Sequence, residues 1–477
     1  MPAVITSVVA LFLLFVGVTG ANAATINVCS SGCTYTTIAA AATAAADGDT
    51  ITVENGIYSG FSVNKQVTIA AKNFNQTDPT QNTATINSQI TSSGSWAWDA
   101  GPVVRGFIIT VTSDPVKMLN GPMTLEYNHI IGTGGDGVSF EGGGGIIRGN
   151  KIESGGDDGI DVDNQSKNIL IEGNDIQNSS QDGIEIRQQP VTISSRISIT
   201  FRNNRIEGSG QDGIQIMDYG NFTNRHYQVD HNLFLNNGRA AIGIMVGDVT
   251  DENYSASSMP EPLYAINNTF VGNTAGISGG ANLVALNNIF SRQTNFDLKN
   301  VIGKSTVKYS LFAQTAKLTG PNNLDNATTS VADPLFDANY RLQNGSPAID
   351  AGLAQYQHTY NYDGSGGGSA QTVTEYPINL SSAQYRGSAP DLGAYESNMT
   401  GLPPSTGPTS QLPSPTTNNL QPTTALGCRT SPARLTCFEA WRSAFTSGIF
   451  SSDADMNGSG TVTVSDFEVW RRAYTGV

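Results

Sequence analysis

From Asn128 to the copy at Asn288, apolar residues fall in short runs, strand signals rather than a helical face. Some alternate strictly, as in Ile184-Glu185-Ile186, and some are compact, as in Ile169-Leu170-Ile171. Gly and Asn punctuate them. Period-2 runs of three to five residues bounded by turn formers predict short β-strands. Only one stretch near the start, Thr36 to Ala46, is rich enough in alanine to predict a helix, and a small pair of amphipathic helices is predicted at the far end.

The strands belong to a repeat. One register recurs: Asn, any residue, an apolar residue, several polar or Gly positions, then Asp-Gly and an apolar alternation. It reads NHIIGTGGDGVSF from Asn128, NKIESGGDDGIDV from Asn150, NDIQNSSQDGIEI from Asn174 and NRIEGSGQDGIQI from Asn204. Weaker copies start at Asn232, Asn268 and Asn288. The starts lie 22, 24, 30, 28, 36 and 20 residues apart. A period near 22 with insertions is a solenoid signature, and three short strands per turn describe a parallel β-helix. Coils then stack about 4.8 Å apart, so equivalent residues form columns. The recurring Asn is read as a ladder of stacked amides at a turn, a structural rather than catalytic use.

The segment VCSSGCTYTTIAAAATAAADGDTITVENGIYSG from Val28 resembles the entrance of right-handed parallel β-helix proteins of the pectate-lyase type, where a short helix covers the first coil. Covering protects backbone groups that would otherwise template aggregation. Toward the other end, DPLF from Asp333, YRLQNGSPAIDAG from Tyr340 and DLGAYE from Asp391 resemble the choice-of-anchor Q domain, which implies architecture and surface display rather than a reaction. The expected fold is thus all-β, a right-handed parallel β-helix over 24–329 with an N-terminal helical cap. A closing region spans 330–400.

Composition narrows the partners. The 477 residues carry 25 Lys+Arg against 40 Asp+Glu, a net charge of −15, and only 14% are charged where about 25% is usual. A nucleic-acid binder is excluded by that sign. An acidic surface also disfavours polyanions unless bound Ca²⁺ bridges carboxylate to carboxylate. The apolar run Val8–Val18 followed by Ala21-Asn22-Ala23 predicts a signal peptide over 1–23 and hence secretion. Its n-region has no positive side chain, which leaves an uncleaved anchor as the alternative, although eleven apolar residues are too few to span a bilayer. Cys29/Cys33 and Cys428/Cys437 form two close pairs, read as local disulfides of an oxidising compartment.

Residues 401–427 turn to Pro, Ser and Thr, an extended linker. Beyond it, FEAWRSAF from Phe438 and FEVWRRAY from Phe467 repeat each other. The second follows a loop with Asp455, Asn457, Ser459 and Asp466 at positions 1, 3, 5 and 12, Gly460 at 6 and Thr461 at 7, the oxygen-rich pattern that hard Ca²⁺ requires. This segment resembles a dockerin repeat, so 428–477 is expected to be a small α-helical, EF-hand-like module. The resemblance implies attachment to a cohesin-like or cell-surface scaffold. The first half lacks an acidic loop, and the Cys428–Cys437 disulfide is expected to close it instead.

Candidate chemistry sits in the repeat. Asp136, Asp158, Asp182 and Asp212 align in one column, Asp161, Glu185 and Gln215 in a second, and Asp163, Arg187 and Met217 in a third. Carboxylates so close cannot all ionise freely. One reading makes each Asp-Gly a turn in which Asp caps amides and Gly takes a positive φ. Another makes the lengthened turns after Gln188 and Asp218 the wall of a groove, with Arg225, His226 and Tyr227 beside it contacting substrate together with Asp161 and Asp212. Asp157, Asp158, Asp182, Glu185 and Arg187 are the candidate catalytic set. The functional expectation is binding of extracellular polysaccharide along an acidic, Ca²⁺-containing groove. The enzymatic alternatives are a calcium-dependent polyuronate lyase and, behind it, a glycoside hydrolase. Asp157-Asp158 is similar to the Asp-Asp block of polygalacturonases, but the Gly-His-Gly and Arg-Ile-Lys blocks of that family are absent.

Overall fold

The computed structural model describes residues 23–397 apart from 133, 164–166, 188–195, 220–224, 248–258, 260, 320–323 and 363–370. The predicted signal peptide, linker, dockerin-like module with its five calcium ligands, and Cys428–Cys437 pair lie outside the described residues. Within them the chain winds through three parallel sheets of twelve, twelve and eleven strands. One coil illustrates the course: Lys151–Ser154 in sheet 2, Ile160–Asp163 in sheet 3 and Ile169–Glu172 in sheet 1.

Period-2 alternation places the core. On sheet 2 the apolar residue two after each repeat Asn points inward; Ile130, Ile152, Ile176, Ile206, Phe234, Phe270 and Phe290, then Phe312 two after Ser310, pair in register from coil to coil. All are fully buried. The four phenylalanines stack at centroid separations of 5.2, 4.8 and 5.0 Å, each pair contributing about 1 kcal/mol beyond the area it buries.

The turn between sheets 1 and 2 takes two residues. The first has positive φ, as at Gly149, Gly173, Asn203 and Asn267. The second is the ladder Asn. Asn150 Oδ1 accepts from both the backbone N–H (2.9 Å) and the Nδ2 (3.1 Å) of Asn128, and the pattern continues through Asn174, Asn204, Asn232, Asn268 and Asn288. Each remaining amide donor reaches a carbonyl of the preceding strand, for example Asn150 Nδ2 to Leu125 O at 3.0 Å. Every polar atom of the ladder thereby has a partner in a site that water does not reach.

At the start, the helix spans Ile38–Ala44, shorter than the predicted Thr36–Ala46. Thr37 caps it by accepting from Ala40 N, and Ile38, Ala41 and Ala42 are its buried residues. Cys29 and Cys33 are joined by a disulfide. At the other end the chain folds back over the last coils. Phe336, Tyr340, Ala394 and Tyr395 cover Leu233, Leu235 and Val271 on the outside of sheet 2. An antiparallel hairpin, Gln355–Tyr362 with Gln371–Asn379, sets Ile378 and Tyr356 against Tyr264, Ile266, Val284 and Leu286 on sheet 1.

Candidate functional site

In-register stacking forces a rule on the outer faces: whatever charge stands at one position meets its counterpart on the next coil. Sheet 1 obeys it by alternation. Arg105, Glu126, Arg148, Glu172, Arg202 and Asp230 follow one another in register, with ion pairs at Arg105–Glu126 (3.2 Å), Arg148–Glu172 and Arg202–Asp230 (3.9 Å). Sheet 2 does the same with Lys151, Asp175 and Arg205.

Sheet 3 breaks the rule. Asp161 stands directly beside Glu185, and Glu141 beside Asp163. Ile160 and Val162 fill the core, so alternation turns Asp161 and Asp163 outward. Side-chain oxygens of Asp158, Asp161 and Glu185 all come within 4.8 Å of one another, and those of Asp136, Asp157 and Asp158 do likewise. Arg187 is the cation beside them, 3.0 Å from Glu185 and 3.7 Å from Asp163.

Asp158, Asp161 and Glu185 are only 4%, 7% and 4% exposed. The expected open acidic groove is therefore a buried carboxylate trio, with the partly exposed Asp157, Asp163 and Arg187 nearer the surface. Burial, then Asp182 and Glu185, pushes the Asp158 carboxyl up to about 11. Burial, then Asp163 and Glu185, pushes Asp161 up to about 8. Burial also raises Asp136 to about 6, and raises Asp182, next to Asp212, well above the ordinary range. Burial alone would favour loss of the Arg187 proton, but Glu185, Asp161 and Asp163 outweigh it and hold the guanidinium above its ordinary value.

The turn reading of the first column is realised. Asp158 Oδ1 accepts from Asp182 N (2.7 Å), Asp182 Oδ1 from Asp212 N (2.6 Å) and Asp212 Oδ1 from Ala240 N (2.6 Å). Its glycine half needs correction. Gly137, Gly159, Gly183 and Gly213 are not among the positive-φ residues. They are glycine because a Cβ would lie 2.5–2.6 Å from the next coil's carbonyl oxygen. Unlike that column, Asp161 Oδ1 is buried with no hydrogen-bond partner.

The residues read as a substrate wall separate. Arg225, Tyr227 and Val229 alternate inward, so Tyr227 belongs to the core and Arg225 is 2% exposed. Neither presents a side chain to a surface ligand. Their position beside a lengthened turn suggested the role, and strand alternation overrides it. His226 faces outward, but onto the hairpin, where Arg196, Tyr264, His358 and Glu375 gather around it. Glu375 and His358 come from more than 90 residues away, and no local pattern marks them.

Residues 116–290 match a family model described as a right handed beta helix region. No curated protein matches the chain. A crystal structure of the pectate lyase Pel9A is similar in fold, with a TM-score of 0.50 and 15% identity, covering 80% of this chain and 98% of that one. The architecture is thus a right-handed parallel β-helix.

Proposed function

We propose that the protein binds acidic, uronate-containing polysaccharide on the outer face of sheet 3, through Ca²⁺ held by Asp158, Asp161 and Glu185. The carrying observation is the stack of Asp161 on Glu185, acid against acid, in which Arg187 pairs with Glu185 while an Asp161 oxygen stays buried and unpartnered. On sheets 1 and 2 the same fold pairs such acids with bases. The donor set consists of carboxylate oxygens, which suits a hard cation. Bound there, the ion would neutralise the trio and bridge it to a uronate carboxylate. Arg187, held protonated, offers that carboxylate a second positive partner.

Calcium-dependent β-elimination is the second reading, because the lyase of like fold, Pel9A, is named for its action on pectate. Elimination requires a base beside the departing proton, and Arg187 is held in the wrong state for it. The trio's separation, within 4.8 Å, is tighter than either geometry of glycoside hydrolysis asks. The Cys29–Cys33 disulfide supports an oxidising compartment. In this reading the chain is secreted and 428–477 tethers it to a cohesin-like or cell-surface scaffold.

The test incubates the full chain with pectate, alginate and glycosaminoglycans in Ca²⁺ or EDTA, measuring affinity and the ultraviolet absorbance of unsaturated uronate. Binding that needs Ca²⁺ and is lost in Asp161→Asn supports the proposal, and a rise in absorbance adds the reaction. Equal binding in EDTA, or none to any of these polymers, overturns it.

A further inference from the structure

The connection from sheet 3 to sheet 1 is short in most early coils. Between Leu119 and Met123 it takes three residues. One coil earlier, between Ser92 and Val103, it takes ten, residues 93–102, with the sequence SGSWAWDAGP. This extra length is laid across the neighbouring coils as a strap. Gly121 of the next coil has room for no side chain, because a Cβ there would be 2.5 Å from Gly94 N. In the coil after that, a Cβ on Gly144 would be 3.0 Å from Trp98 Cβ and 2.8 Å from Lys167 Cβ. In the third coil Lys167 Nζ donates to Trp96 O at 3.2 Å.

The strap thus reaches three coils, roughly 14 Å, passing over Gly121 and Gly144. It carries two of the chain's four tryptophans, Trp96 and Trp98, both half-buried. Neither belongs to a core cluster. The six-membered ring of Trp96 lies against Gly94, and what each indole leaves part-exposed on this surface loop is an apolar face that a ligand can cover. They stand along the edge where the sheet 3 strands end. Lys167 follows Asp161 by six residues, so no more than ~20 Å of chain separates the strap's anchor from the acidic trio. A polysaccharide offers what each site takes: carboxylates for the cation, and the apolar C–H faces of pyranose rings for the indoles.

We propose that Trp96 and Trp98 form an aromatic subsite that stacks on sugar rings of the acidic polysaccharide, with Lys167, Gly121 and Gly144 fixing the strap that presents them. The inference rests on the polysaccharide reading above and extends it from the charged trio to the strap. Titrating the full chain with pectate and alginate oligosaccharides in Ca²⁺ should shift tryptophan emission. Trp96→Ala and Trp98→Ala should each weaken binding about tenfold, while Ca²⁺ binding without sugar stays unchanged. Trp98→Phe, which keeps a stacking face, should recover most of the loss. Wild-type affinity in both alanine variants, with no emission change on saturation, overturns the subsite and leaves the cation reading intact. Binding that survives Asp161→Asn and EDTA but falls in the tryptophan variants overturns the cation reading and leaves the subsite.

Discussion

Asp161 and Glu185 occupy one register position on adjacent parallel strands, carboxylate beside carboxylate, where sheet 1 sets Arg148 against Glu172. The two pairs share one coil and obey the same stacking geometry. Only the first pair is left uncompensated by its cross-strand neighbours, and that is what singles out its face of the solenoid.

The cost of that arrangement should be measurable. With its carboxyl pushed up to about 8, Asp161 at neutral pH either bears charge among acids or takes a proton that the unfolded chain does not hold, and both destabilise the fold. In EDTA, Asp161→Asn is expected to raise the melting temperature by roughly 2–4 °C. Ca²⁺ should stabilise the wild type and leave the variant unmoved. A lower melting point in EDTA with an intact calcium shift would place the ion elsewhere.

The compensated ladder makes the converse prediction. Arg148→Glu stacks three carboxylates, at 126, 148 and 172, and should cost about 2 kcal/mol in urea denaturation at low salt, less at high salt. Arg148→Met removes the ion pair while keeping the stem packed, and should cost under about 1 kcal/mol. Equal losses would show that packing rather than charge sets the column.

The amide ladder should be less forgiving. Asn174→Ala strips the acceptor that serves both Asn150 N and Asn150 Nδ2, leaving buried donors unpaired at a cost of about 3 kcal/mol or more. Asn178, exposed enough to solvate a truncation and outside the ladder, provides the comparison; Asn178→Ala should cost less than half as much. Comparable denaturation midpoints would contradict the ladder's role.

How much of this was legible beforehand follows from what each feature depends on. The coils, the Asn ladder and the Asp column are carried by residues 20 to 36 positions apart in a register that the sequence repeats, so period alone reveals them. A lengthened turn near Tyr227 suggests a surface role, but the inward alternation of Arg225, Tyr227 and Val229 decides its place. The charge ladder of sheet 1 recurs at the same spacing, so the repeat carries it as well. Nothing local around Trp96 says that a ten-residue connection lies down along the solenoid. Gly121 and Gly144, beneath it, are the signal that the sequence offers. The cluster around His226 depends on contacts across more than 90 residues, which no repeat encodes.

That cluster predicts how the hairpin responds to acid. Arg196, His226 and Tyr264 meet His358, Tyr360 and Glu375 across the interface between sheet 1 and the hairpin. Burial, then Arg196, lowers His226 to about 4, and burial lowers His358 as well. A histidine depressed in the folded state contributes stability that is complete above its unfolded value near 6.5 and is lost as pH falls toward the folded value. For His226 the loss is roughly 3 kcal/mol across pH 6.5 to 4. Hydrogen exchange, corrected for intrinsic rates, should therefore accelerate at residues 372–379 between pH 7 and pH 4.5, while Ile169–Glu172 in the solenoid stays protected. His226→Gln, which cannot take the proton, should flatten most of that dependence. If the hairpin keeps its protection at pH 4.5, or the variant follows the same pH course as the wild type, His226 is not what ties the hairpin down.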